Sequence, residues 1–352
     1  MKAVVLVGGF GTRLRPLTLT TPKQMLPVGG APMIERVLGH LSSHGIDEVV
    51  LSLGYRPDAF SDAYPEAVCA GVRLVYAVEP EPLDTAGAIA FAARLDGLDE
   101  RFVVVNGDVL TDLDVSALVD THVSAGAEAT VALTEVEDPS HFGVVVSDDH
   151  GRVLAFVEKP PKGTAPSNLV NAGFYVFEPS VLDRIPAGGR VNLERETFPA
   201  LVADRRLYAR ADDAYWIDVG TPERYLQANL DVLDGLRPFG PGPAVDVTVR
   251  GEVRPPALLG SGCRVDEGAL VHRSVLGRDV VVGRRAVVEH SVVLDGAEVG
   301  PSAVVRHSIV GAGALVGRGS ALGELCVLGD GTDTGEACAL LGARLPAEEE
   351  VA

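Results

Sequence analysis

The sequence predicts an α/β domain on a mostly parallel sheet, followed by a parallel β-helix. Three observations carry this. Over residues 1 to about 235, short apolar runs alternate with helix-length amphipathic stretches, the pattern of strands crossed over by helices on both faces of a sheet. A Pro/Gly-rich stretch at 236–243 then reads as a linker. Beyond it the chain becomes periodic: Ser274, Ser291 and Ser308, the valines 265, 282, 299 and 316, and the small residues Ala269, Ala286, Ala303 and Ser320 each recur every 17 residues.

The elements follow in order. Strands are predicted at 3–7, 48–53, 73–78, 102–105, 129–135, 143–146 and 173–177, and helices at 32–44, 85–94 and 115–125. A last helix, 222–233, has Thr221 as N-cap and Pro222 at its first position, where the missing N–H costs nothing. In the periodic part, an apolar residue roughly every six positions with small residues at the turns is a hexapeptide signature. Each coil buries its neighbour's apolar positions. About five coils fit between 257 and 341, and Asp333 in the valine column marks the stack's end. The expected division is 1–235, linker 236–243, β-helix 244–345 and tail 346–352.

Composition excludes several classes. A net charge of −19 leaves no cationic footprint for a nucleic acid. No apolar run approaches the ~18 residues of a membrane span. The apolar start is too short for a signal peptide and reads as a buried strand. Cys69, Cys263, Cys326 and Cys338 lack ligand spacing and read as free thiols of a reducing cytoplasm.

The chemistry concentrates in the first domain. The first strand runs into Gly8-Gly-Phe-Gly-Thr-Arg-Leu-Arg-Pro-Leu-Thr18, which is neither a dinucleotide fingerprint nor a Walker loop. Its glycines still bring backbone N–H groups close to phosphates, and Arg13 adds a planar fork. Lys23 stands between Pro22 and Pro27. Asp108 ends the strand 102–105 through Asn106-Gly107, and Asp218 lies between apolar residues and a Gly turn. Two hard oxygen ligands plus substrate phosphates suit Mg²⁺. Phe156-Val-Glu-Lys-Pro160 and Val170-Asn-Ala-Gly-Phe-Tyr175 complete the set.

Together, in this order across about 220 residues, these segments resemble the sugar-1-phosphate nucleotidyltransferases, closest to mannose-1-phosphate guanylyltransferases that carry a C-terminal hexapeptide-repeat domain. The resemblance implies a Rossmann-like nucleotidyltransferase domain followed by a left-handed parallel β-helix. It implies that an NTP and a sugar 1-phosphate give an NDP-sugar and pyrophosphate, with Mg²⁺ as cofactor. Leu6, Gly8, Gly9, Gly11, Thr12, Arg13, Glu79, Asp84, Thr85, Asn106 and Gly107 would hold the nucleotide. Gly143, Glu158, Lys159, Asn171 and Gly173 would hold the sugar phosphate. Arg13, Lys23, Asp108, Lys159 and Asp218 would be catalytic, with Asp108 and Asp218 on the metal.

Glu79 stands where thymidylyl and uridylyl members usually have Gln. Its carboxylate suits the adjacent N1–H and N2 amine of guanine, so GTP is favoured, and mannose 1-phosphate with it. Such members usually read Leu-Gly-Thr-Ala-Gly where position 84 here is Asp. Gln24 replaces a commoner Pro, and Asn192-Leu193 a commoner Ser-Ile. These departures leave open a thymidylyl-, uridylyl- or adenylyltransferase, or an unusual sugar or cyclitol phosphate. A non-catalytic regulatory subunit and a β-helix acyltransferase using His290 or His307 are the readings from other classes. The β-helix is expected to assemble a homo-oligomer, and a chain cut near Pro241 to keep a folded catalytic domain.

Overall fold

The computed structural model describes residues 1–236 and 244–346, so most of the expected linker and tail lies outside the described residues. The chain divides into two compact units, 1–9 with 34–217 and 10–33 with 218 onward.

The first unit is built on one ten-stranded sheet. Its path runs Val153–Glu158, Gly143–Ser147, Leu169–Phe177, Phe102–Asn106, Lys2–Leu6, Glu48–Leu53, Val72–Val78 and Val68–Cys69. Two further strands, Ala129–Glu135 and Leu207–Ala211, branch from Leu169–Phe177. The expected mostly parallel sheet is corrected to a mixed one. Its four central strands, 102–106, 2–6, 48–53 and 72–78, are parallel. Leu169–Phe177 runs antiparallel to both 102–106 and 129–135. The parallel strands read as near-continuous apolar runs because both faces are buried: Ala3, Val4 and Val5 are fully buried, as are Val49, Val50 and Leu51. Helix Asp84–Leu95 packs its alanines and Ile89 into the core formed with Phe102, Tyr175, Phe177 and Phe198.

The second unit holds the β-helix, a left-handed coil of three parallel sheets. Its strands begin at Thr248–Val249 and Glu252–Arg254, ahead of the coils counted from 257, so two sheets have six strands and one has five. The valine column 265, 282, 299, 316 is one buried row, Val249 ahead of it is exposed, and the five-stranded sheet stops where Asp333 makes only an isolated bridge to Leu315. The other two sheets continue to Ala339–Leu341 and Arg344–Leu345.

The serine column is also explained. Ser274, Ser291 and Ser308 are buried, yet each hydroxyl donates to the carbonyl two residues back, at 2.7–2.8 Å. The Ser274 and Ser291 hydroxyls accept the N–H of the next serine at 3.1 and 3.2 Å. A polar ladder inside an apolar stack is tolerated because each rung is satisfied. Helix Pro222–Leu233 is capped as expected, by Thr221 accepting from the Arg224 N–H. His290 and His307 sit at exposed turns with positive φ, and the ring that His290 meets is that of His272, at 5.8 Å.

Candidate active site

In an open α/β sheet, ligands meet the carboxyl ends of the parallel strands. In the first unit those ends carry Leu6 to Gly9, Gly54, Glu79 and Asn106-Gly107-Asp108. Neighbouring strands keep Leu6 and Asn106 in register, and the Gly107 N–H donates to the Leu6 carbonyl at 3.0 Å. Gly8 lies so close to its surroundings that a Cβ there would stand 3.1 Å from Glu79 Oε1 and 3.3 Å from the Gly54 nitrogen. The Glu79 carboxylate is therefore fixed beside the glycine loop. Ser52 Oγ donates to its Oε1 and the Leu83 N–H to its Oε2, each at 3.1 Å. Each oxygen keeps a second lone pair for a ligand.

Asp84 opens the helix Asp84–Leu95 with φ +61°, a backbone region that costs a non-glycine residue little only when its side chain is Asn or Asp. Its Oδ1 accepts from the Thr85 N–H at 2.8 Å and from Asn192 Nδ2 at 3.0 Å. The Thr85 hydroxyl donates to Glu194 Oε2 at 3.0 Å and accepts from the Leu193 N–H at 2.8 Å.

The residues expected at the sugar phosphate also gather in this unit. Gly143 pairs with Glu158 across two strands, and a Cβ on Gly143 would meet the Phe156 ring at 2.6 Å. Lys159 takes φ +47° and sets its Nζ 3.2 Å from Glu158 Oε1. Gly173 takes φ +77° at a break in strand register, where a Cβ would lie 2.9 Å from Asn106 Nδ2. That bulge turns Asn171 back on its own strand: its Oδ1 accepts from the Gly173 N–H and its Nδ2 donates to the Tyr175 hydroxyl, at 3.0 and 2.9 Å. Trp216 Nε1 donates to the Ala172 carbonyl at 2.9 Å.

Two residues here were missed by the sequence reading. Tyr175 is fully buried, and burial, then the Glu194 carboxylate, pushes its hydroxyl well above the ordinary range, opposed by hydrogen bonds from Asn171 and Asn106. Glu194 is pushed up by burial, with Glu158 and Asp84 adding to it and the Thr85 hydrogen bond opposing. Both residues adjoin recognised segments, and a Tyr or Glu at a buried position next to a motif was the available signal.

The second unit holds the other cationic groups. Gly11, φ +62°, caps the short helix Thr12–Leu14 and accepts at its carbonyl from Thr18 Oγ1 at 2.8 Å. A Cβ on Gly11 would stand 3.3 Å from that of Lys23. Arg13 and Asp218 converge over Gly220, where a Cβ would meet Arg13 Nη2 at 2.8 Å and Asp218 Oδ1 at 2.9 Å. Arg344, from the end of the β-helix, donates through Nη1 to the Arg13 carbonyl at 3.2 Å. Thr20 donates to Asp330 at 2.5 Å. Asp108 in the first unit and Asp218 in the second are the carboxylates expected on a metal, and both offer hard oxygen donors. Among the described residues no three His, Cys, Asp or Glu side chains gather as a cage. Such a donor set fits a cation shared with substrate phosphates. No helix of the described residues is long and apolar enough to cross a membrane.

Comparison with known proteins bears on both units. Residues 2–235 match the family model "Nucleotidyl transferase" and residues 242–340 the model "EIF2B subunit epsilon LbH domain". The chain is 42% identical over 280 residues to a mannose-1-phosphate guanylyltransferase of Mycobacterium tuberculosis, covering 78% of this chain and 75% of that protein. It is 38% identical over 299 residues to mannose-1-phosphate guanylyltransferase 1 of Arabidopsis thaliana, covering 80% and 82%. Among solved structures, HddC from Yersinia pseudotuberculosis complexed with GMP-PN matches with TM-score 0.56 at 27% identity, covering 66% of this chain and 99% of that one.

Proposed function

The chain belongs to the nucleotidyl transferase family, and we propose that it transfers GMP from GTP to mannose 1-phosphate, releasing pyrophosphate. The observation that carries the base is Glu79. Its carboxylate is held by Ser52 and Leu83 at the end of a parallel strand, beside the glycine loop. A fixed pair of acceptors suits guanine, whose N1–H and N2 amine are adjacent donors, whereas thymine and uracil offer one. The names of the relatives support the same reading for base and sugar.

An oxygen of the sugar phosphate attacks the α-phosphorus in line. A new P–O bond forms, the bond between the α-phosphorus and its bridging oxygen breaks, and pyrophosphate leaves. The nucleophile is already anionic, so the task of the protein is to align two polyanions and offset their repulsion. Gly8, Gly9, Gly11 and Thr12 present backbone and hydroxyl donors to the triphosphate. Arg13 and Lys23 balance charge on the leaving pyrophosphate. Glu158, Asn171 and Gly173 hold sugar hydroxyls, and Lys159 the sugar phosphate. Asp108 and Asp218 would hold Mg²⁺, which when bound supplies positive charge to the phosphate oxygens. Four free cysteines fit a reducing compartment such as the cytoplasm, and the Val-rich β-helix would join subunits of a homo-oligomer.

A matrix of five nucleoside triphosphates against several sugar 1-phosphates, read by pyrophosphate release, tests this. GTP with mannose 1-phosphate should give the highest kcat/KM. A preference for dTTP or UTP would overturn the base assignment, and a preference for another sugar phosphate the acceptor.

A further inference from the structure

Two departures from the usual family pattern, 108 positions apart in the chain, touch each other: Asn192 Nδ2 donates to Asp84 Oδ1 at 3.0 Å. Asp84 replaces a residue that is usually glycine, and its φ of +61° shows why glycine suits the position. A serine at 192 would be too short to reach across as Asn192 does. The replacement at one site is thus matched by the replacement at the other.

The pair is rigidly placed. Asn192 Oδ1 also accepts from the Arg195 N–H at 2.9 Å, so both ends of its amide are engaged and its orientation is fixed. The Val191 N–H donates to the Leu83 carbonyl at 3.1 Å, and the Ala86 N–H to the Val191 carbonyl at 3.0 Å, which tie the two segments on either side of the pair. Both hydrogen bonds that the described residues give Asp84 converge on Oδ1. Oδ2 is the oxygen a ligand would meet. Asp84 directly follows Leu83, whose N–H holds the Glu79 carboxylate.

Guanine offers three hydrogens on its Watson–Crick and minor-groove edges: N1–H and two on the N2 amine. One carboxylate accepts two of them, N1–H and the nearer amine hydrogen, and leaves the other amine hydrogen unpaired. We propose that Asp84 accepts that remaining N2 hydrogen and that Asn192 is its positioning residue, so that this chain reads guanine with two carboxylates. The proposal rests on the guanine reading of Glu79 and adds to it a second acceptor.

Inosine triphosphate isolates the amine, because hypoxanthine keeps N1–H and lacks N2. The test is the ratio of kcat/KM for GTP to that for ITP, with mannose 1-phosphate as acceptor, in wild type, Asp84→Gly, Asn192→Ser and the double variant. Glycine accepts φ +61° without strain and serine can still cap Arg195, so all should fold. Asp84→Gly should lower the ratio about five- to tenfold, the loss falling on GTP, as expected for one lost charge-assisted hydrogen bond. Asn192→Ser should lower it in the same direction by a smaller factor. The double variant should match Asp84→Gly, since Asn192 acts only through Asp84. An unchanged ratio in Asp84→Gly, or an equal fall for both nucleotides, overturns the second acceptor while leaving Glu79 as the base reader. A further fall on adding Asn192→Ser to Asp84→Gly overturns the positioning role. A wild type that prefers dTTP or UTP to GTP removes the guanine reading itself.

Discussion

The sheet unit and the β-helix bury polar groups in opposite ways. In the β-helix each buried serine repeats its neighbour's solution, 17 residues on, and the ladder serves the stack alone. In the sheet unit the buried Tyr175 and the half-buried Asn106, Asn171, Thr85, Glu194, Asp84 and Asn192 form a web without period around the proposed site. The repeated polar motif serves the stack, and the unrepeated web lies at the proposed site. The division between units does not coincide with that contrast, because the segment carrying Arg13 and Lys23 belongs with the β-helix.

The largest expected effect tests the recognition side. Asp108→Asn or Asp218→Asn should lower turnover by roughly 10³-fold or more, because each removes a charge from the expected cation pair. Melting temperature should stay within a few degrees. Near wild-type rates with Mg²⁺ in both variants would place the cation elsewhere.

The second prediction tries to break the comparison. If the β-helix were scaffold alone, a chain cut near Pro241 would keep its activity. The cut removes Arg344 and Asp330, which hold the Arg13 carbonyl and Thr20. Loosening a segment that carries Arg13 and Lys23, the two cations proposed for catalysis, should therefore lower kcat by roughly 10- to 100-fold. Full activity in the truncated chain would restore the simpler division at the linker, and a changed sedimentation profile would report on assembly.

Glu79→Gln sharpens the recognition side further. Gln keeps the shape but turns one acceptor into an NH₂ group that faces a donor, either on the base or at Ser52 or Leu83. A mismatched hydrogen bond of about 1–3 kcal/mol corresponds to a fall of roughly 5- to 150-fold in kcat/KM for GTP relative to dTTP. An unchanged ratio would leave Glu79 as a loop pin only.

Much of the β-helix was legible because its rows are local in sequence: one coil predicts the next. The coil count began only at 257 because Thr248–Val249 and Glu252–Arg254 precede the 17-residue columns. In the sheet unit, strands with apolar runs and the capped helix at Thr221 were legible for the same local reason. Val153–Glu158 and Leu207–Ala211 were not: the apolar run 153–157 lies on an edge strand where Leu154 is exposed, so it lacks the in-and-out alternation of a half-buried strand. The sheet's mixed direction was invisible because strand polarity depends on which distant strand is the partner. The same holds for the site. Its motifs were legible through their resemblance to a family, whereas the pairing of Asp84 with Asn192, or of Thr85 with Glu194, spans more than 100 residues and has no local trace.

On the structural side, Ser291→Ala removes the acceptor of the Ser308 N–H and the donor to the Glu289 carbonyl, both in a buried ladder. Leaving those groups unsatisfied should cost about 1–3 kcal/mol of stability. Denaturant midpoints should fall while kcat/KM with GTP stays at the wild-type value. An equal loss of activity would mean that the ladder serves the site as well.

The smallest effect concerns a buried polar residue of the sheet unit placed away from the proposed site. His122 is fully buried, with Nδ1 at 2.9 Å from Thr130 Oγ1 and Nε2 at 3.2 Å from Glu178 Oε1. Burial pulls its pKa below the ordinary 6.5, aided by Arg101 and opposed by Glu178. In the folded chain the imidazole therefore takes up a proton only at lower pH than in the unfolded chain. Between those two pKa values the unfolded state binds more protons, so stability rises with pH across that window and falls on acidification from pH 7 towards 5. His122→Gln keeps polar contacts without titrating. The wild type should lose more stability than the variant over that range. Denaturant midpoints at pH 7.5, 6.5 and 5.5 for both proteins give the difference directly, and other titrating groups cancel in it. A difference that stays constant with pH, or that grows in the variant's disfavour as pH falls, would mean that His122 is charged in the fold and paired with Glu178 as an ion pair.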